Sequence, residues 1–177
     1  MFGIFESHFN VYSWFPKMEK ITFDVSLVHF LLMFGYKLFS LYYPLYLISI
    51  GFSVLNIGSI YLLTYSTIAI SSLVINFYIH KFSPAKVAAF GIFGYGVFAL
   101  MMLLSQNLYV FYLAQIVLGF SAAAWLVSLK FILMEAKTKN KRRSFGWFYS
   151  MPHYAAAIAP VIGGMVIWKF GFAGFLF

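Results

Sequence analysis

The chain has 177 residues, of which 63% are hydrophobic and 9% charged, and it contains no cysteine. A soluble domain carries about a quarter charged residues and under half apolar ones, so this composition excludes a soluble globular protein and indicates an integral membrane protein in a lipid bilayer. The formal charge of +8 is concentrated in short gaps between apolar runs, which argues against nucleic acid as a partner. The lack of cysteine excludes disulfide frameworks and thiolate metal sites, and the sequence predicts no metal site and no cofactor.

Residues 1–20 form a predicted cytoplasmic or interfacial segment. It lacks the basic start and the small-residue cleavage site of a signal peptide. The aromatic residues between Phe2 and Tyr12 are spaced to form an apolar stripe on a helix lying in the membrane interface. The alternative is that Met18 is the true start and the residues before it are an upstream extension.

Residues 21–177 contain five apolar runs of about 20 residues, the length that a helix needs to cross the hydrocarbon. These runs are too long for the strands of a membrane barrel and do not alternate, so they predict an all-α, polytopic bundle of about five membrane helices. The predicted spans are TM1 (24–47), TM2 (57–79), TM3 (87–104), TM4 (108–134) and TM5 (145–168). A sixth span is expected to start after residue 172, close to the last residue, so we expect the sequence to be a fragment.

The loops between the spans predict the orientation. The TM2–TM3 loop "HKFSPAK" and the TM4–TM5 loop "EAKTKNKRRS" are basic, whereas "ISIGFSVLN" and "SQN" carry no charge. Because cytoplasmic loops collect lysine and arginine, this pattern places the N-terminus in the cytoplasm. We expect a multi-pass protein of the plasma membrane.

Lys37 is the residue whose insertion into the membrane costs the most free energy. It lies in the middle of TM1, roughly 15 Å from either surface at 1.5 Å per residue. An intramembrane charge indicates a functional site by default. Ser26 and Ser40 share its helix face, so TM1 is predicted to turn a polar stripe towards a substrate cavity. The alternatives are a structural lysine bonded to tyrosine hydroxyls or backbone carbonyls, or a shallower position in the bilayer.

His153 is predicted to lie buried in TM5, about 12 Å from the start of the span. A buried histidine can relay protons near neutral pH, so His153 is a candidate for ion coupling. The alternative is a histidine that only packs. Pro152 before it removes a backbone donor and favours a kink.

Small residues recur at four-residue spacing in TM5, at Ala155, Ala159 and Gly163, with Pro160 among them. Such a ladder lets a neighbouring helix approach closely. A proline beside a close contact favours a helix that flexes.

Five segments of the chain follow one another in a specific order: "YPLYLISIGFSVLNIGSI", "INFYIHKFSPAKV", "KRRSFGWFYS", "APVIGG" and "WKFGFAGFLF". Their order resembles the N-terminal half of a major facilitator superfamily transporter. The resemblance extends from about residue 18 to residue 177 and depends on order and spacing, since no single motif is intact. It implies a partial six-helix domain that works with a missing C-terminal six-helix half.

The resemblance implies a cytoplasmic gate in the TM2–TM3 loop. Positions of the family's Gly-x-x-x-Asp-Arg/Lys-x-Gly-x-Arg/Lys-Arg/Lys motif hold Asn76, His80, Lys81 and Lys86 here, so the basic residues remain while the glycine and the aspartate are absent. The TM4 motif of proton-linked members begins with arginine, where this chain has Gln115. That difference argues against proton coupling.

The TM5 motif of the antiporter branch is Gly-x-x-x-Gly-Pro-x-x-Gly-Gly. It corresponds here to a set of five residues in which alanine replaces the first two glycines. By this resemblance the set is expected to form an interdomain contact and hinge with the absent half, and not a contact within this bundle. Its members are Ala155, Ala159, Pro160, Gly163 and Gly164.

The sequence thus predicts a secondary active transporter that moves a small solute by alternating access. The alternative is a non-transporting membrane subunit or a decayed relic of a transporter. An intramembrane enzyme is not expected, because the spans offer no carboxylate pair and only scattered histidines.

Overall fold

A computed structural model of the chain describes residues 19–104 and 107–171. Within these residues the regular structure consists of helices, and five spans are long and apolar enough to cross a membrane, which confirms the predicted all-α membrane bundle. The helices are α1 (Lys20–Ser40), α2 (Tyr43–Ser49), α3 (Val54–Tyr78), α4 (Pro84–Leu104), α5 (Leu108–Glu135) and α6 (Lys141–Phe170), with a 3₁₀ turn at Ile79–Lys81. Together α1 and α2 form TM1, and α3 to α6 are TM2 to TM5. The predicted interfacial stripe and the start of a sixth span lie outside the described residues.

Polar residues at the loop ends determine where the helices begin. Ser53, Asn107 and Asn140 each precede a helix, and their side-chain oxygens accept a backbone N–H two or three residues later at 2.9–3.2 Å. These bonds satisfy donors that the first turn of a helix leaves free. TM5 ends at Gly171, whose φ of 69° suits a residue without a Cβ.

TM1 is interrupted at residues 41–42, which the prediction of one span over 24–47 did not include. The Tyr42 N–H bonds the Phe39 carbonyl at 2.9 Å, a tighter turn than an α-helix makes, and so leaves the Leu38 carbonyl free of its usual donor. Pro44 has no N–H to offer to the Ser40 carbonyl. The chain resumes as α2 directly afterwards.

TM4 is the central helix of the described bundle. It lies along both TM2 and TM3, whereas TM1 lies along TM5 and touches TM4 over a short stretch. Glycines allow the close contacts of TM4. A Cβ at Gly91 of TM3 would lie 2.7 Å from the backbone nitrogen of Trp125, and one at Gly119 would lie 2.9 Å from the Thr64 carbonyl oxygen. Both contacts are shorter than side-chain carbons tolerate.

The buried side chains form two apolar cores at different levels of the bundle. One core surrounds Leu47, Ile60 and Phe111, and the other surrounds Trp125 and Phe148. In TM1 the core around Trp125 comes before the middle of the helix and the core around Leu47 comes after it, and in TM4 the order is reversed. The middle level between the cores therefore has room for polar groups.

Candidate functional site

A cavity of about 170 Å³ lies at this middle level, where TM1 to TM4 meet. Lys37 and Ser40, two of the three residues predicted for a substrate cavity, line it. Its wall consists of Met33, Tyr36, Lys37, Phe39, Ser40, Tyr43, Tyr61, Thr64, Tyr65, Ile68, Tyr95, Phe98, Gln115, Leu118 and Ala122. The wall therefore holds one charged side chain, several hydroxyl groups and many aromatic rings.

Lys37 is half-buried, and its Nζ lies 5.8 Å from the centre of the Tyr36 ring. No residue in the cavity wall is acidic. The carboxylates of the described part of the chain, Glu19, Asp24 and Glu135, lie at or near helix ends, away from this level. Among the described residues the ammonium group has a ring beside it and no hydrogen-bond partner, so the alternative of a lysine bonded to tyrosine hydroxyls is not what the structure shows.

A chain of hydrogen bonds connects three helices on one side of the cavity. The Gln115 Nε2 donates to the Tyr43 hydroxyl at 2.9 Å, and the Thr64 hydroxyl donates to the Gln115 Oε1 at 2.7 Å. All three side chains are buried. Gln115 is thus a neutral structural link between TM1, TM2 and TM4, which is consistent with the argument against proton coupling at this position.

Tyrosines make up much of the remaining wall, and the sequence did not single them out. The Tyr36 and Tyr95 rings meet edge to face at 5.9 Å, and the Tyr43 and Tyr61 rings do so at 6.3 Å. Tyr61 and Tyr65 stack at 6.5 Å, one helical turn apart. In the sequence, only the four-residue spacing of Tyr61 and Tyr65 indicated that two of these rings are neighbours. The other two pairs join residues of different helices.

Ser26 does not line the cavity, so its assignment to the substrate site is wrong. It is 1% exposed, and its hydroxyl has no hydrogen-bond partner in the described structure. Ser26 shares a face with Lys37 but lies three turns away, at the level of the core around Trp125. His29 lies at the same level, with its ring 4.4 Å from the Phe148 ring.

His153 is exposed on the described bundle, which contradicts the expectation that it is buried. Two residues further along, Ala155 is fully buried. Residues two apart on a helix point about 200° away from each other. The close packing of Ala155 therefore turns His153 outwards.

The residues of the proposed cytoplasmic gate lie at the end of TM2 and the start of TM3. Asn76, His80, Lys81 and Lys86 are all exposed. The Lys81 Nζ lies 5.1 Å from the centre of the Tyr78 ring on the same helix end. The structure places the four side chains on one end of the bundle, and their role as a gate stays a prediction.

The small-residue face of TM5 packs within this bundle, against TM1. Ala155 and Ala159 are 0% exposed, and a Cβ at Gly163 would collide with the carbonyl oxygen of Leu38. The expectation that this face is kept for a helix of another half is therefore wrong. The physical reason is that the Leu38 carbonyl, free of its usual donor at the break in TM1, lies directly on the glycine.

Pro160 and Gly164 also contact TM1. The Tyr42 hydroxyl donates to the Pro160 carbonyl at 2.7 Å, and a Cβ at Gly164 would collide with it. Tyr42 is one of the two residues of the break in TM1. The interruption of TM1 and the proline of TM5 are thus in direct contact.

Comparison with known protein families adds an independent observation. The family model described as Major Facilitator Superfamily matches residues 25–177, which include TM1 from residue 25 onwards, all of TM2 to TM5 and every residue of the cavity wall. Comparison with curated proteins gives no significant match. Members of the matched family are membrane transporters, and the match extends over far more than half of the sequence. On this evidence the chain belongs to the Major Facilitator Superfamily.

Proposed function

We propose that the chain is the N-terminal part of a secondary active transporter that moves a small solute across the plasma membrane by alternating access. The observation that carries this proposal is Lys37, a half-buried cation in a mid-membrane cavity whose wall contains no acidic residue. Transporters of this kind hold their substrate near the bilayer midplane, between two halves that rock against each other.

The cost of the charge supports a functional role for Lys37. Placing a lysine at the centre of a membrane helix costs about 2.5–3.5 kcal/mol on insertion scales. A lysine with an acidic neighbour would recover part of that cost, but the cavity wall offers aromatic rings and hydroxyl groups instead. The cost is offset when a solute occupies the cavity. Ser40 belongs to the same wall and would contribute a hydroxyl to the solute.

The proposal includes a second half of six helices and a sixth helix after residue 172. The exposed position of His153 supports it, because a histidine facing lipid in mid-span is unfavourable and a further helix would cover it. A coupling role for His153 then depends on what that helix places beside it. The basic loops support a cytoplasmic N-terminus, which puts Asn76, His80, Lys81 and Lys86 at the cytoplasmic gate.

The test begins with the coding sequence beyond residue 177 and uses the natural full-length chain in proteoliposomes. Uptake from a mixture of small metabolites, driven by a proton or sodium gradient, is measured by mass spectrometry of the vesicle contents. We expect at least one solute to accumulate, and we expect Lys37→Ala to lower its initial uptake rate at least tenfold. The absence of any solute accumulation in correctly oriented vesicles would favour a non-transporting subunit or a relic.

Lys130→Ala is the matched control. Lys130 is also half-buried, and its Nζ lies 5.5 Å from the Tyr149 ring, but it is close to the end of TM4, where a lysine reaches the interface. We expect Lys130→Ala to retain at least half of the uptake rate. Equal rates for the two variants at matched expression would refute the role assigned to Lys37.

A further inference from the structure

We propose that the cavity around Lys37 selects small carboxylates that carry a flat apolar body, such as an aromatic ring. This inference rests on the proposed transport function and extends it from an unspecified solute to one chemical class. Three features of the cavity wall carry it: its charge, its free hydroxyl groups and its rings.

The charge of the wall favours an anion. Lys37 is the one charged side chain among the fifteen residues that line the cavity, and no carboxylate or histidine is present there. An ammonium group in a poorly hydrated site attracts an anion strongly and repels a second cation. A neutral solute would leave the charge unpaired, and a carboxylate pairs it.

The hydroxyl groups of the wall provide further donors for a carboxylate. Tyr36, Tyr61, Tyr65 and Tyr95 make no hydrogen bond to another described residue, whereas Gln115, Thr64 and Tyr43 are bonded to one another. Hydroxyl groups that donate to a carboxylate form short bonds, roughly twice as strong as those between neutral groups. Two carboxylate oxygens have enough lone pairs for Lys37 and two or more of these hydroxyls.

The rings of the wall suit a flat apolar body. Seven of the fifteen lining residues are phenylalanine or tyrosine, and ring pairs of the wall meet edge to face, stacked or tilted at 5.5–6.5 Å. The volume of about 170 Å³ corresponds to about five or six water molecules at ~30 Å³ each. That space suits a solute of about the size of one ring with a carboxylate group.

Aromatic walls also bind quaternary ammonium groups, so a cationic solute is the competing class. In this cavity the ring face of Tyr36 already has the Lys37 ammonium 5.8 Å from its centre. A cationic solute would have to displace Lys37 or sit beside it. The charge of Lys37 therefore decides between the two classes in favour of the carboxylate.

The test compares three probes of nearly the same shape and different charge: benzoate, benzamide and the cation benzamidinium. Binding to the purified full-length protein is measured by isothermal titration calorimetry and by the shift in melting temperature. We expect benzoate to bind at least tenfold more tightly than benzamide, and benzamidinium to bind least. We expect Lys37→Met to abolish the preference for benzoate over benzamide, and Lys130→Met to leave it within twofold of the wild type.

Two further variants test the other two requirements for binding: the hydroxyl groups of the wall and the free volume of the cavity. Tyr36→Phe, which keeps the ring, is expected to weaken benzoate binding about threefold to tenfold and to leave benzamide binding unchanged. Ala122→Phe, which puts a ring into the cavity, is expected to abolish binding of all probes without lowering the melting temperature of the free protein by more than a few degrees.

The outcomes also distinguish the two proposals. A neutral or cationic solute that binds as tightly as benzoate and is lost in Ala122→Phe would overturn the carboxylate class while the transport function stands. Benzoate binding that survives Lys37→Met, or no benzoate binding at all, would overturn it too. Failure of the transport function would show differently, as the absence of uptake of any solute in the vesicle experiment.

Discussion

Gly163 of TM5 offers a direct test of how TM1 and TM5 pack. A Cβ at this position would collide with the Leu38 carbonyl oxygen and lie 3.0 Å from the Leu38 carbonyl carbon. Carbon atoms in favourable contact are about 3.5–4.0 Å apart. In Gly163→Ala, TM1 would have to move away by at least half an ångström at this point, because the neighbouring atoms are backbone and cannot rotate aside.

The magnitude follows from a comparison with Gly146, an exposed glycine on the same helix. A Cβ there would meet nothing within 4 Å. Both substitutions gain helix propensity, worth up to about 1 kcal/mol each, and that gain cancels between them. Overpacking a well-packed contact costs about 1–3 kcal/mol. We therefore expect the Gly146→Ala protein to be more stable than the Gly163→Ala protein by about 1–3 kcal/mol.

The assay is reversible unfolding of the purified protein in mixed micelles as the mole fraction of sodium dodecyl sulfate rises. Tryptophan fluorescence reports the transition, and the difference in free energy of unfolding is taken between the two variants. Equal stability of Gly163→Ala and Gly146→Ala would refute this contact, because the TM1 backbone would then not lie on Gly163.

Three predictions on hydroxyl groups use the same unfolding assay. Tyr42→Phe keeps the ring and removes the bond to the Pro160 carbonyl, so we expect a loss of about 1 kcal/mol, within the range measured for bonds between membrane helices. Thr22→Val removes the buried bond of 2.8 Å to the Ser144 hydroxyl and should cost a similar amount. Ser26→Ala, which removes a buried hydroxyl without a partner, should be neutral or stabilising, and a loss equal to that of Thr22→Val would contradict this account.

The sequence predicted the features that depend on single helices. Apolar length is a local property, so the five spans followed from it, whereas the orientation and the depth of Lys37 in the membrane stay predictions. The break in TM1 was harder to predict from the sequence. Pro44 was its only clear signal, and a proline in the first turn of a new helix does not by itself reveal that the preceding helix has ended.

The features that depend on which helices meet were harder to predict. The ladder in TM5 indicated that some helix comes close, but small-residue spacing does not say which one, and the structure shows TM1. Ser26 shares a helix face with Lys37, yet the neighbours of a face change from turn to turn, and at Ser26 they form an apolar core. The tyrosines of the cavity come from three helices and are a few of the 13 in the chain, so composition could not select them.

The hydrogen bond between Tyr42 and Pro160 has a mechanical consequence. TM1 is interrupted at residues 41–42, whereas TM5 stays helical through Pro160, and one hydrogen bond connects the interruption to that proline. If TM5 bends at its proline, it must either break that bond or pull the break in TM1 with it. Since TM1 carries Lys37 a few residues from its break, movement of one span changes the position of the charge in the cavity.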